Sequence, residues 1–119
     1  MRSDLLADYL LSLPETREEQ PFGPDVDVYK VAGKIFAIFS PDTNPRRISL
    51  KCDPILAIEL RQEYDAVNPG YHLNKNHWNT VTLDGTVHTH QLKSMIRHSY
   101  EQVVLGLPKS VRERLAGDV

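Results

Sequence analysis

The feature that most constrains the fold of this chain is a change in the spacing of its apolar residues. They follow a helical period before Pro14, alternate as in β-strands between Val26 and Lys51, and return to a helical period after Asp53 and again near Thr89. Both periods in one short chain predict an α+β domain, in which helices and an antiparallel sheet bury their apolar faces against each other.

These patterns predict the element order α-β-β-β-α-β-β-α, as a two-layer sandwich. The sheet is expected to be mainly antiparallel and five-stranded, with helices on one face and part of the other face exposed. The predicted helices span residues 4–13, 54–64 and about 89–106, with a last short helical turn within 109–115. The predicted strands span residues 26–31, 34–39, 46–51, a short 71–73, and 78–83.

Turn and capping signals support these boundaries. Ala32-Gly33 is expected to close a hairpin, and Asp53 followed by Pro54 is typical of a helix start, so Asp53 is interpreted as a helix cap and not as a general base. Residues 15–24 are predicted to be a loop whose Phe22 packs against the core. Residues 68–70 are predicted to form a turn.

We expect residues 1–119 to form a single domain, because 119 residues with 40% hydrophobic content suit one core. The longest apolar run, Ile35 to Phe39, is far shorter than the ~20 residues of a membrane span, so we expect a soluble, cytoplasmic protein without membrane contact. Cys52 is the only cysteine, which excludes an intramolecular disulfide, and it is expected to be a buried core thiol.

Charge is unevenly distributed along the chain. The net charge is −2, yet residues 26–52 carry five basic and two acidic side chains, a balance of +3. Alternation places Arg47 and Lys51 on the solvent-facing side of one strand, whereas Arg46 points the other way unless the strand begins after it. Cations along a strand can neutralise phosphates, and an indole beside them can stack on a base.

These residues define a candidate nucleic-acid-binding surface of Arg46, Arg47, Lys51, Lys75, His77 and Trp78. The alternative is that the charges only solvate an exposed sheet, while Trp78 fills the gap between the sheet and the last helix. A second alternative concerns proteins as partners. If Phe36 and Ile38 contributed to an exposed apolar patch on the sheet, a protein partner or a homodimer would be favoured over DNA.

Neither a metal site nor an active site is predicted. His88 and His90 are two residues apart, with His72 and His77 nearby in sequence, but no cysteine or close carboxylate pair completes a four-ligand set. The chain has no G-x-S-x-G, P-loop or dinucleotide-binding motif. We therefore expect no cofactor and a binding module instead of an enzyme.

The stretch from His72 to Val81, followed by Leu83-Asp84-Gly85, resembles the signature of the MmcQ/YjbR family. Residues 48–52, leading into the Asp53-Pro54 helix start, and Ser99-Tyr100 are also similar to that family, and the resemblance covers essentially the whole chain. One departure is the segment Val87 to His90, where a more acidic, proline-bearing helix start is expected, so the start of the last helix is less defined by the resemblance.

This resemblance implies an α+β fold like that of secretion chaperones, with a likeness to the frataxin-type fold, and a proposed winged surface for DNA. It supplies no catalytic residues. Two functions follow as hypotheses: weak DNA binding through the basic sheet face, and protein interaction, chaperone-like or homodimerising, through an exposed apolar sheet or helix face. The oligomeric state does not follow from the residues.

Overall fold

The computed structural model describes residues 3–70 and 73–117. It contains the α-helices α1 (Ser3–Ser12), α2 (Pro54–Glu63), α3 (Thr89–Leu105) and α4 (Lys109–Gly117). It also contains the strands β1 (Thr16–Glu19), β2 (Asp27–Val31), β3 (Lys34–Ser40), β4 (Arg47–Lys51), β5 (Val67–Pro69) and β6 (Trp78–Thr82). The predicted α+β class is confirmed.

The strands form one sheet in the order β1-β2-β3-β4-β6-β5, and every neighbouring pair is antiparallel. The sheet has six strands in the described part of the chain, not the predicted five. The additional strand is β1, which lies in the predicted 15–24 loop. The sequence of β1, Thr-Arg-Glu-Glu, has no apolar alternation that would predict a strand. β1 forms an edge strand through backbone pairing with β2.

Two other boundary predictions are wrong. Besides β4, β6 pairs with Val67–Pro69, so the predicted 68–70 turn is largely strand. The predicted 71–73 strand begins with Tyr71 and His72, which lie outside the described residues. The C-terminal segment forms the full helix α4, and its Leu115 is buried in the core. An element of nine residues therefore replaces the predicted single turn.

The core lies between the sheet and the helices. From α1 it takes Leu6 and Leu10, followed by Leu13 just after the helix, and from α3 it takes Leu92, Ile96 and Val103, as the helical spacing predicted. The strands contribute alternate residues, such as Ile48 and Leu50 from β4. The pattern assigns the opposite side chains of the same strands to the second sheet face, which we call the open face.

Phe36 belongs to the core and not to an exposed patch, which corrects the prediction that grouped it with Ile38. Its ring packs edge-on against Tyr100, with centroids 5.3 Å apart and planes at 88°. The register between β2 and β3 shifts at Tyr29/Lys30, and this bulge lets Phe36 and Ala37 both be fully buried. Ile38 then pairs with Val28 and Ser49 on the open face.

The predicted hairpin turn and helix cap are confirmed. Ala32 and Gly33 have φ angles of 48° and 80°, as a two-residue hairpin turn with the favoured twist requires. The Asp53 carboxylate accepts hydrogen bonds from the N–H groups of Ile55 (3.1 Å) and Leu56 (3.2 Å) at the start of α2. None of the described helices is long and apolar enough to cross a membrane.

Candidate nucleic-acid interface

The register of β3, β4 and β6 determines which side chains are neighbours on the open face. Directly paired residues of antiparallel strands point to the same face. Ser40, Arg47 and Thr82 form one cross-strand row, and Ile38, Ser49 and Thr80 form the next. Lys51 pairs with Trp78 at the far end of β4. The predicted row of Arg47 and Lys51 therefore exists on the open face, with Trp78 beside it.

The edge strand β1 adds charge that the sequence patterns did not reveal. Arg17 pairs with Lys30, and Glu19 pairs with Val28, so all three charged side chains belong to the open face. With Arg47 and Lys51, the strands present four basic side chains and one acidic side chain there, which is +4 − 1 = +3. Glu19 is already engaged with Lys30, at 3.2 Å from its Nζ.

The remaining strand cations are available to an anion. Arg17, Arg47 and Lys51 form no ion pair within residues 3–70 and 73–117. Three strand spacings separate β1 from β4, so Arg17 and Lys51 lie about 14 Å apart across the sheet. Arg47 and Lys51 are about 13 Å apart along β4, from four residues of strand rise. The three charges thus cover a surface large enough to contact several phosphates.

A groove of about 550 Å³ lies on the same face, and of these three cations Arg47 lines it. The hydroxyl groups of Ser49 and Thr80 are 2.8 Å apart on its floor. Phe22 borders the groove and is 66% exposed, so the prediction that it packs against the core is wrong. The remaining lining residues are Val26, Ile35, Ile38, Ser40, Arg47, Leu73 and Trp78. The groove therefore combines aromatic walls with one guanidinium and several hydroxyl groups.

Trp78 is half-buried and borders this groove. The alternative in which it fills the gap between the sheet and the last helix is wrong, because its pairing with Lys51 points it away from the helices. Gly70, which follows β5, allows the backbone to approach Trp78 closely, because a Cβ on Gly70 would lie 2.7 Å from the Trp78 Cβ. The Gly70 N–H donates to the Trp78 carbonyl at 2.8 Å.

Lys75 and His77 are exposed on the turn that precedes β6. This turn is held by Arg61 of α2, which donates hydrogen bonds to the backbone carbonyls of Lys75 and Trp78 and, at 2.7 Å, to the Asn79 side chain. The His77 carbonyl also accepts from the Cys52 N–H at 2.7 Å. Arg61 is thus a positioning residue for one side of the candidate interface.

Arg46 is separated from the row of Arg47 and Lys51. It immediately precedes β4, is half-buried, and accepts a backbone hydrogen bond from the Leu83 N–H at 2.8 Å. Of the six predicted residues, the structure groups Arg47, Lys51 and Trp78 on one face, with Lys75 and His77 on the adjoining turn. Arg46 does not share that row.

The remaining reactive side chains have structural roles. Cys52 is 4% exposed, and burial together with the neighbouring Asp53 carboxylate raises the pKa of its thiol to about 11. Asp53 caps α2, and its N–H donates to His98 Nε2 at 3.2 Å. Burial and a hydrogen bond to Glu18 raise the pKa of Tyr29. None of these groups is prepared as a nucleophile.

The histidines show no metal-binding arrangement in the described part of the chain. His88 and His90 stack in parallel at 6.4 Å, both exposed near the start of α3, and no three His, Cys, Asp or Glu side chains converge within residues 3–70 and 73–117. His72 lies outside those residues.

Three residues that contribute to the interface were not predicted from the sequence: Arg17, Phe22 and Arg61. Arg17 lies in a strand without apolar alternation, and Phe22 lies in a Pro- and Gly-rich segment where burial has no periodic signal. Arg61 acts across 14 to 18 positions of sequence. The one available clue was charge: residues 15–19 mix both signs, as edge strands often do.

The architecture and the open face define an α+β protein in which the described helices cover one side of an antiparallel sheet. The YjbR family model matches residues 11–102. The chain belongs to the YjbR family.

Relatives in the family support the same assignment. The chain is 38% identical to the uncharacterised protein YbdF of Escherichia coli O157:H7 over 105 residues, which covers 88% of this chain and 86% of that protein. It is 42% identical to the uncharacterised protein YjbR of Escherichia coli strain K12 over 86 residues, or 72% and 73% of the two chains.

Solved structures share the fold. The crystal structure of Deinococcus radiodurans protein DR2400, assigned to the domain DUF419, superposes with a TM-score of 0.90 at 40% identity, covering 97% of this chain and 88% of that one. A Pseudomonas syringae protein superposes with a TM-score of 0.73 at 28% identity, covering 86% and 98%. These structures show the same architecture in proteins of two bacterial species, and their names assign no activity.

Proposed function

We propose that this protein is a non-enzymatic binding module that holds DNA weakly on its open face. The observation that carries the proposal is the coincidence of Arg17, Arg47 and Lys51 with an aromatic-walled groove on one sheet face. Phosphates would bind the cations, and an unpaired base would stack on Trp78 or Phe22. Both contacts are largely independent of sequence.

The number of available cations sets the expected affinity. Each phosphate neutralised on duplex DNA contributes about −0.9 to the slope of log K against log salt, so three or four contacts give about −3 to −4. Such a small number of contacts places the dissociation constant in the weak, non-specific range of about 10⁻⁴ to 10⁻⁶ M. Because the net charge of the chain is −2, attraction to DNA would come from the cations of the open face alone, and such attraction is sensitive to salt.

Fluorescence anisotropy of labelled duplex and single-stranded oligonucleotides, measured over a salt series, tests the proposal. Replacing Arg47 and Lys51 together by Ala is expected to weaken binding to all sequences alike and to flatten the slope by about two units. The matched control is the double substitution of Lys109 and Arg112 by Ala, which removes the same charge from exposed positions on α4. That control is expected to leave the slope unchanged.

Trp78 provides a second readout, because it is the only tryptophan of the chain. Stacking of a base in the groove is expected to quench its fluorescence, and more strongly with single-stranded oligonucleotides than with duplex. Replacing Phe22 by Ala should reduce the quenching, since this exposed side chain forms the other aromatic wall. Urea unfolding of each variant checks that a loss of binding is not a loss of fold.

The competing proposal is protein interaction through the same groove. Its support is the apolar lining by Ile35, Ile38 and Leu73, with the exposed Phe22 at the rim. The two proposals differ in salt dependence, because an apolar interface is nearly insensitive to salt. DNA binding that is undetectable at low salt, or that is unaffected by the Arg47 and Lys51 double substitution, would refute the DNA proposal and favour the protein partner.

A further inference from the structure

A second cavity lies on the helix side of the sheet, separate from the groove of the open face. It has a volume of about 400 Å³ and opens between α2 and α3. Leu50 and Val81 form part of its floor, Leu56 and Leu60 of α2 form one wall, and Met95 of α3 lies opposite. Its size falls at the small end of the range for ligand pockets, about 300–1,000 Å³.

The cavity exists because α2 is anchored at its two ends while its middle covers the sheet incompletely. Asp53 caps the first turn, and Arg61 ties the last turn to Asn79 and to the turn before β6. Between these anchors only Ala57 is fully buried, whereas Leu56 and Leu60 remain half-exposed. Side chains of this chain therefore leave apolar surface around the cavity without packing partners.

One buried polar atom in the lining lacks a partner in the described part of the chain. The side-chain oxygen Oε1 of Gln91, near the start of α3, is buried and accepts no hydrogen bond from residues 3–70 or 73–117. Two other polar side chains of the lining are already engaged: the Asn79 amide bonds to Arg61 and to the Ala57 carbonyl, and His98 Nε2 accepts from the Asp53 N–H. Charged side chains of Lys51, Arg97 and Glu101 also line the cavity. The Gln91 oxygen is therefore a buried acceptor beside the apolar floor and α2 wall, and it favours a ligand that carries a donor.

We propose that this cavity binds a compact, largely apolar ring compound that carries one N–H or O–H group, donated to Gln91 Oε1. The ring fills the space between Leu56, Leu60 and Met95, where the thioether and the aliphatic side chains contact an aromatic surface well. The cavity and the groove of the open face lie on opposite sides of the sheet, and Lys51 is the one residue of the proposed DNA interface that also lines the cavity.

Indole and 1-methylindole are suitable probes, since both have the same ring system and only indole has an N–H donor. Titration of ¹⁵N-labelled protein is expected to shift the amide signals of Leu50, Val81 and Met95, with a dissociation constant for indole of about 0.1–1 mM. Loss of the single hydrogen bond should weaken 1-methylindole about three- to tenfold relative to indole.

Two variants locate the site and the hydrogen bond. Gln91→Met keeps the side-chain length but removes the acceptor, so the two probes should then bind equally. Leu56→Trp fills the cavity and should abolish binding of both, while the matched control Ile55→Trp, at a neighbouring position that is 71% exposed, should leave binding unchanged. The amide spectrum of each variant checks its fold.

The proposal is overturned if neither probe shifts the cavity residues, or if the wild-type protein binds both probes equally. It is also overturned if Leu56→Trp, folded, binds indole as the wild type does. Should Leu56→Trp fail to fold, Gln91→Met alone decides: an indole preference that persists without the Gln91 oxygen refutes the assigned hydrogen bond.

Discussion

The hydroxyl of Ser99 is predicted to be among the most important polar groups for stability. Ser99 lies on α3 and is fully buried. Its Oγ accepts a hydrogen bond from the Lys51 N–H at 2.8 Å and donates one to the Phe36 carbonyl at 2.5 Å. These two backbone groups lie just beyond Ala37–Leu50, the last pair of the β3–β4 ladder. The hydroxyl therefore satisfies both strands where their own pairing ends.

Ser99→Ala leaves one buried donor and one buried acceptor without partners. A buried polar group deprived of its partner costs about 1–3 kcal/mol, so the substitution is expected to reduce the free energy of unfolding by about 2–4 kcal/mol. Urea unfolding followed by circular dichroism measures this loss. For a slope of about 2 kcal/mol per M, the midpoint should fall by about 1–2 M.

Ser94→Ala is the matched control, because Ser94 is exposed on the same helix and forms no side-chain hydrogen bond within residues 3–70 and 73–117. It should change the free energy of unfolding by less than about 0.5 kcal/mol. A loss below about 0.5 kcal/mol for Ser99→Ala would refute the reasoning, since it would mean that water or direct strand pairing satisfies Lys51 and Phe36 equally well.

Four further predictions concern turns, packing, the thiol and metal. Ala32→Gly should stabilise the fold by about 1 kcal/mol, seen as a higher melting temperature, because Ala32 has a left-handed φ of 48°. Gly70→Ala should destabilise it by about 1–3 kcal/mol in urea, because the new Cβ meets the Trp78 Cβ at 2.7 Å; an unchanged midpoint would contradict this close packing. Cys52 should resist alkylation at pH 8 in the native state, since burial raises its thiol pKa to about 11, and rapid labelling of the native protein would refute this. Because the pKa is raised in the folded state, stability is fully present below the pKa of the thiol in the unfolded chain and decreases as the pH rises towards 11. A strong chelator should not lower the melting temperature, and a large decrease would reveal a metal required for folding.

Elements of the fold were predictable where a few neighbouring residues determine the local structure. The hairpin of β2 and β3 and the cap at Asp53 were predicted correctly, because two-residue alternation, positive-φ turns and helix capping are encoded within a few residues. β1 was missed because its four residues gain their conformation from pairing with β2 and bury almost nothing. Edge strands of this kind lack a sequence signature of their own.

The candidate site likewise contains residues whose positions were predictable within one strand and residues whose positions depend on distant segments. Arg47 and Lys51 were predicted to share a face, because alternation along one strand decides it. The position of Trp78 required knowledge of which strand pairs with β4, and the role of Arg61 required the packing of α2 against a distant turn. Neither property is contained in a single segment of sequence.

The open face also shows why net charge was a poor guide to its character. The chain carries −2 overall, but the sheet separates charges by face, and the strands place four cations against one carboxylate on the side that the helices do not cover. A phosphate within a Debye length of about 8–10 Å responds to this face and not to the chain total. The charge of one sheet face is therefore the quantity that bears on binding, and it is fixed by strand register: a one-residue shift of β4 would turn Arg47 and Lys51 into the core, where their burial would be too costly for the fold to form.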